Sequence, residues 1–201
     1  AAVMQADRQV GKLIDRLKER GQYDETMLIV LADHGELLGE HGVYFDHHCL
    51  YDPAIRIPLV VRVPGSEPAT VDEFVQITDV MPTVLDYFDA GDTVDTDGRS
   101  LSPLIKGNAA AWESRKFILA EEAHTQRKRA IRTPEYKLIE TLGENEACRY
   151  CERVHADPTE LYDLGQQPNE DKNIRSESPD ICDRLSDMTS EAGSEFDTPA
   201  I

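Results

Sequence analysis

No apolar run in this chain of 201 residues approaches the length of a membrane span, and no charged-then-apolar signal precedes the first helical stretch. A spanning helix is therefore excluded as a reading. The missing leader signal carries no weight, because the chain opens inside what reads as a helix; the expectation is a cytoplasmic protein. Basic residues are also scarce, with 21 Lys and Arg against 39 Asp and Glu, a formal charge of −18 and a pI near 4.6. Such a surface repels nucleic acid and anionic membranes, so neither is expected as a partner. The acidic residues are spread along the chain, as on a surface adapted to high salt, although a merely solubilising surface has the same composition. Cysteine is limited to four residues. Cys148 and Cys151 form a single C-x-x-C followed by His155, which reads as a disulfide or as half a zinc site and lacks the second pair a zinc site needs. No internal repeat and no low-complexity block is present.

What the sequence does have is a dense stretch between Thr26 and Leu59. It opens with an apolar run, Met27 to Leu31, rich in strand formers and too short for a membrane, which reads as a buried strand. Asp33, His34, Gly35 and Glu36 follow, then Glu40, His41, Asp46, His47 and His48. In open α/β sheets, ligands bind beyond the carboxyl ends of strands, where loops carry polar side chains over a rigid floor. A solvated loop has no need of four histidines, whereas a cation beside an anionic substrate calls for oxygen and imidazole ligands together.

The motifs ADHGE at 32–36, GEHG at 39–42 and YDPAIRIPL at 51–59 come in an order and spacing that resembles the sulfatase family of the alkaline phosphatase superfamily. The likeness continues through TDVMPTVLDYF at 78–88, with Asp79, Pro82 and Thr83, and through DGRSLSPLIKG at 97–107. AIRTPEYKLIE and ELYDLGQQPNE resemble the family's closing hairpin and tail. The family's Cys/Ser-x-Pro-Ser-Arg element, whose Cys or Ser becomes the formylglycine nucleophile, does not occur. The resemblance therefore implies a C-terminal portion of a sulfatase, with the formylglycine in a missing N-terminal part of the same enzyme.

That resemblance also implies a mechanism. Asp33 and His34 match positions that complete the shell of a divalent metal, calcium being the first expectation, with magnesium or manganese open. A sulfate ester is the expected substrate, and the cation together with positive donors would surround its non-bridging oxygens. The family places a Lys against the sulfate. Counting back from Arg56-Ile57-Pro58-Leu59 puts His47 there, with His48 adjacent, so these two are the catalytic candidates. An imidazolium carries the same charge as Lys and can also protonate a leaving oxygen. His41 reads as support or as a structural histidine, and Arg56 as the partner of an acidic neighbour. Glu121, Glu122 and His124 end a strand that either faces the substrate or is an exposed edge. The alternatives are a phosphonate monoester or phosphodiester hydrolase of the same superfamily, and a catalytically inactive truncated chain.

For the rest of the chain, Val3, Val10, Leu13, Ile14 and Leu17 give residues 1–20 a helical apolar stripe expected to pack on the sheet, with Gly21 as the stop. Ile57 to Val63 reads as a second strand. Thr78 can cap a helix with Val80, Val84, Leu85 and Phe88 facing inward. KFILAEE, RAIRT and YKLIE alternate as strands, the last two around a Pro134-Glu135 turn. A last helix opens at Ser178-Pro179 with Ile181, Leu185 and Met188 on one side, and the tail beyond Thr189 is expected to fray. The fold class is thus α/β: part of an alkaline-phosphatase-like sheet flanked by helices, with a small C-terminal antiparallel sheet plus helix. Residues 1–112 would carry the metal-site loop, and 113–201 the antiparallel subdomain.

Overall fold

The computed structural model describes residues 2–90, 95–143, 152 and 154–193. Cys148 and Cys151 lie outside the described residues. By contact the chain divides into two units, residues 1–32 with 58–113, and residues 33–57 with 114–201.

In the first unit, α1 (Ala2–Glu19) ends as the sequence predicts. Gly21 adopts φ +64°, its N–H donates to Lys18 O, and Gln22 N–H reaches back to Leu17 O. This is the doubly bonded left-handed stop for which glycine has no side-chain penalty. The apolar stripe is not buried. Val3 and Leu13 stay exposed, and Val10, Ile14 and Leu17 are only half-covered. β1 (Leu28–Leu31) pairs antiparallel with β4 (Leu59–Arg62), Leu28 opposite Arg62 and Leu31 opposite Leu59. The strand expected to be buried is instead partly open, because β4 is its one neighbour among the described residues and Val30, Leu31 and Val60 keep exposed faces. Arg62 crosses to donate to Tyr23 O and Thr26 O and lies over the Tyr23 ring.

The 3-10 turn Ile77–Asp79 that leads into α3 (Val80–Tyr87) carries a capping box of Gln76 and Asp79, and Thr78, expected as the cap, lies inside that turn. Asp79 is fully buried; its carboxylate accepts the N–H groups of Gln76 and Arg99, while Thr83 Oγ1 donates to Asp79 O and accepts from Leu101 N–H. Gly98 closes this lock, since a Cβ there would sit 2.0 Å from Thr78 O. The expected inward set holds in part: Val84 and Leu85 are half-buried, but Phe88 is exposed. α4 (Ser102–Ile105) brings Leu101 and Leu104 together with Trp112 as the small core of this unit.

The second unit is built on one antiparallel sheet in the order β5 (Ile118–Glu122), β6 (Lys128–Arg132), β7 (Tyr136–Thr141), β8 (Thr159–Asp163). Its strands alternate, and both faces are covered. Ile131, Leu138 and Leu161 pack with Ile174, Cys182 and Leu185, the last two from α5 (Pro179–Gly193). Ala130, Ile139 and Tyr162, from the opposite face, pack with Leu37, Leu50, Tyr51 and Ala54 of the histidine-rich segment. At 25 cal/mol per Å², each buried Leu or Ile side chain among these contributes about 1.5–3 kcal/mol. The expected hairpin at Pro134-Glu135 is present, with Thr133 N–H on Tyr136 O. α5 runs on to Gly193 and does not fray after Thr189, because Thr189 and Gly193 are buried and Gly193 lies against the Arg129 guanidinium, where any side chain would collide.

The segment 33–57, placed with residues 1–112 by the sequence reading, groups by contact with 114–201. Tyr51 OH donates to Glu160, Asp52 N–H donates to Glu170, and Lys137 Nζ donates to Leu50 O, all buried and all to partners from the second unit. No helix among the described residues is long and apolar enough to cross a membrane.

Candidate metal and anion site

Gly35 sets the base of the site. Its N–H donates to Ala54 O at 2.7 Å, and a Cβ would fall 1.8 Å from Pro53 O, so only glycine lets the Asp33–Glu36 turn lie against the backbone of α2 (Asp52–Ile55). The chain then forms a short ribbon of β2 (Leu37–Leu38) and β3 (Tyr44–Asp46). Between the two strands Gly39 and Gly42 take φ +142° and +71°, and His41 takes φ +54°. This reversal returns His47 to His34.

The two imidazoles stack with centroids 3.6 Å apart and planes 16° from parallel. His47 continues to His48 at 4.4 Å, and His48 to His124 at 4.2 Å, so four rings form a ladder. His34 Nδ1 bonds Gly35 O at 2.6 Å, which leaves Nε2 as the lone-pair nitrogen, 3.9 Å from Asp33 Oδ1. His47 Nδ1 stands 3.7 Å from Glu36 Oε2. Asp46 Oδ1 accepts the N–H groups of both His47 and His48 and lies 3.8 Å from His48 Nε2. Partial burial pushes the Asp46 carboxyl up, but the backbone donors of His48 and His47 and the imidazoles beside it outweigh this and hold it below the usual carboxylate range.

Of the predicted residues, Asp33, His34, His47 and His48 are brought together here, with Asp33 the most exposed. His41 stands apart, flat on the Tyr51 ring at 3.7 Å, in the structural role foreseen as one of its two readings. Arg56 is exposed and has no side-chain hydrogen bond or ion pair among the described residues. The acidic residue of YDPAIR finds Arg132 instead. Glu122 caps the 122–126 turn by accepting the N–H groups of His124, Thr125 and Gln126, and Glu121 pairs with Arg129. Glu36, named in the sequence only as one of the clustered acidic residues, was given no role there. Its signal was its place two residues beyond His34, next to the ribbon that carries His47.

The same segment ends in a buried ionic anchor at Asp52. Lys137, with no exposed surface, pairs with Asp52 and with Glu170, the latter at 2.5 Å, and Arg132 reaches Asp52 at 3.3 Å. Burial pushes Asp52 up, but the charges and hydrogen bonds of Lys137 and Arg132 hold it below the usual carboxylate range. Tyr51 and Tyr162 both donate to Glu160 Oε2, and burial together with that carboxylate raises both phenols far above their ordinary range.

The donor set suits a divalent ion. One donor atom each from His34, Glu36 and His47 all lie within 4.8 Å of one another, and Asp33 adds an oxygen beside His34. Two ligands at about 2.0–2.2 Å from one cation stand at most about 4.4 Å apart, so these donors lie near coordinating separation.

The profile of the family described as N-sulphoglucosamine sulphohydrolase, C-terminal, matches residues 39–191, and that of type I phosphodiesterase / nucleotide pyrophosphatase matches residues 1–58. The chain is 30% identical over 183 residues to the N-acetylglucosamine-6-O-sulfatase of Bacteroides thetaiotaomicron, an alignment covering 87% of this chain and 31% of that protein. It thus spans under a third of the length of that curated relative. A solved structure of a protein in complex with its substrate D-glucosamine-2-N,6-O-disulfate matches with a TM-score of 0.75 at 28% identity, covering 98% of this chain and 40% of the other. The phosphonate monoester hydrolase of Silicibacter pomeroyi matches with a TM-score of 0.75 at 27% identity, over 94% of this chain and 38% of that one. Motif order, sheet topology and a profile match over more than half of its length agree, and the chain belongs to the sulfatase family described as N-sulphoglucosamine sulphohydrolase, C-terminal.

Proposed function

We propose that the protein contributes the metal-and-sulfate corner of a sulfuric ester hydrolase. The observation that carries this is the convergence of His34 and His47, ring on ring at 3.6 Å, beside Asp33 and Glu36. Asp33 supplies a hard anionic oxygen and His34 the Nε2 lone pair that its Gly35 bond leaves free. These two residues would hold a divalent ion, which would supply positive charge to the sulfate's non-bridging oxygens. Calcium is the ion implied by the family likeness, with magnesium and manganese also compatible with one carboxylate and one imidazole. His47 and His48 present ring N–H groups to the sulfate, and one of them gives its proton to the leaving oxygen. Asp46, bonded to both backbone N–H groups, holds the backbone that carries the two rings. The nucleophile of this reading is the family's formylglycine.

The test uses the polypeptide that carries these residues as purified from its source, assayed for sulfate release from an aryl sulfate. His47→Ala is expected to lower kcat by about 10²–10⁴-fold, the usual size of a lost acid–base group, and His124→Ala by less than about tenfold. Equal losses would refute the assignment.

A second reading, hydrolysis of phosphonate monoesters or phosphodiesters, is favoured by the phosphodiesterase profile over residues 1–58 and by the phosphonate hydrolase fold match. Faster turnover of an aryl phosphonate monoester than of the aryl sulfate would select it.

A further inference from the structure

We propose that Tyr44 and Phe45 of β3 are specificity-determining residues, an open aromatic wall that takes the six-membered ring of the alcohol or phenol to which the sulfate is esterified. The inference rests on the sulfate-hydrolysis reading and adds the part of the substrate which that reading leaves open.

Three observations carry it. The first is exposure: Tyr44 keeps 70% and Phe45 79% of its surface in solvent, and Leu38, the register partner of Tyr44 across the ribbon, keeps 62%. Single exposed apolar side chains are ordinary, but three adjoining ones on one short ribbon form a patch of the kind that marks a binding surface. The second is strain. Leu37 pairs with Asp46 and Leu38 with Tyr44, which leaves Phe45 without a register partner, as the extra residue of a bulge with φ +53°. That left-handed conformation suits glycine, and a phenylalanine is strained in it. Burial within the chain does not offset the strain, because the ring is exposed. Strain of this kind collects at binding sites, where it aims a side chain. The third is the seating of Tyr44. Its ring lies against Gly39, where a Cβ would stand 3.1 Å from Tyr44 Cε1, and its hydroxyl makes no hydrogen bond among the described residues. That hydroxyl can donate to, or accept from, a bound ligand.

Position then selects the ligand. Phe45 precedes His47 by two residues, about 7 Å of extended chain. His47 and His48 serve the leaving oxygen in the reading above, so the alcohol carrying that oxygen extends past the ribbon. A six-membered ring presents a flat apolar face the size of an aromatic side chain, and its edge substituents meet polar groups such as a phenol hydroxyl. An ester of a two-carbon alcohol ends short of the wall.

The experiment uses the polypeptide as purified from its source. It measures sulfate release from 4-nitrophenyl sulfate and from ethyl sulfate, together with equilibrium dialysis against 4-nitrophenol, the ring product. Phe45→Gly is the main variant, because it removes the ring and leaves the residue best suited to the bulge; its melting temperature is expected within about 2 °C of the parent's. Tyr44→Ala is the second. Each should raise KM for 4-nitrophenyl sulfate about three- to tenfold, with kcat changed less than about twofold. Each should also weaken 4-nitrophenol binding by a similar factor and leave kcat/KM for ethyl sulfate unchanged. Equal losses on the two esters, or an unchanged KM and unchanged dialysis, overturn the inference. So does a clear fall in the melting temperature of Phe45→Gly, which would mean that the ring packs against protein. If the parent releases no sulfate from either ester, the hydrolase reading fails, and the dialysis still judges the wall: binding weakened by both variants upholds it, and unchanged binding removes it.

Discussion

The two ends of the segment 33–55 are held by opposite means. At the histidine end the side chains touch mainly one another: His34, His47 and His48 keep 41%, 34% and 30% of their side-chain surfaces in solvent, and their partners are neighbouring rings and nearby carboxylates. At the anchor end Tyr51, Asp52 and Ala54 are buried, and Lys137 and Glu170 beneath them are almost wholly shielded. The exposed end leaves donor atoms available for chemistry and contributes little to folding. The buried end has no spare donor and ties the segment to the sheet. A buried charge is costly unless paired. Here two carboxylates, one ammonium and one guanidinium come from residues 52, 132, 137 and 170, so the pairing exists only once the sheet and the segment are assembled.

The comparison is tested hardest at Lys137. Lys137→Met would leave Asp52 and Glu170 buried beside each other, and a loss of about 3–5 kcal/mol is expected in urea unfolding. A loss below about 1 kcal/mol would mean that the network is a bystander. His47→Ala, measured the same way, should change stability by no more than about 0.5 kcal/mol, the usual range for a side chain away from the core.

Acid should expose the same contrast. Asp52 is held below its unfolded value, so its contribution is complete above pH 4 and is lost as pH falls through its folded value. Stability below pH 4 should therefore decline less steeply in Asp52→Asn than in the parent, as read by thermal melts from pH 5 to 2.5. Identical acid limbs would remove Asp52 from the anchor.

The smallest effect marks the border between the two ends. Burial pushes the Cys49 thiol up to about 11. Iodoacetamide at pH 8.5 should thus modify Cys49 far more slowly in the folded chain than in urea, since the thiolate is the reacting form. Equal rates, followed by peptide mass, would place Cys49 in the open end.

Much of this was legible in advance because it depends on local pattern. The 3.6-residue stripe of α1, the alternation in RAIR and YKLIE, the proline-opened last helix and the crowding of His and acidic residues after β1 are all properties of neighbours in sequence. Less was legible where a residue's setting depends on something far along the chain. Lys137 is a charged residue in an alternating strand, yet it is buried, because both faces of that strand are covered and carboxylates from residues 52 and 170 meet it there. Glu36 looked like one more acidic loop residue until the β2–β3 ribbon brought His47 beside it.

By itself, the sequence determined which segments become helix and strand, the glycine-dependent stops and turns, and the family through the order of its motifs, since each rests on backbone preference or on residue identity at short spacing. Only the tertiary structure decided that the histidine segment belongs with the C-terminal sheet, that four imidazoles line up as a ladder, and that α1 and β1 keep open apolar faces. Those outcomes are set by contacts between residues tens to more than a hundred positions apart, such as Tyr51 with Glu160, and no local pattern encodes which distant partner will complete a buried charge or cover an apolar face.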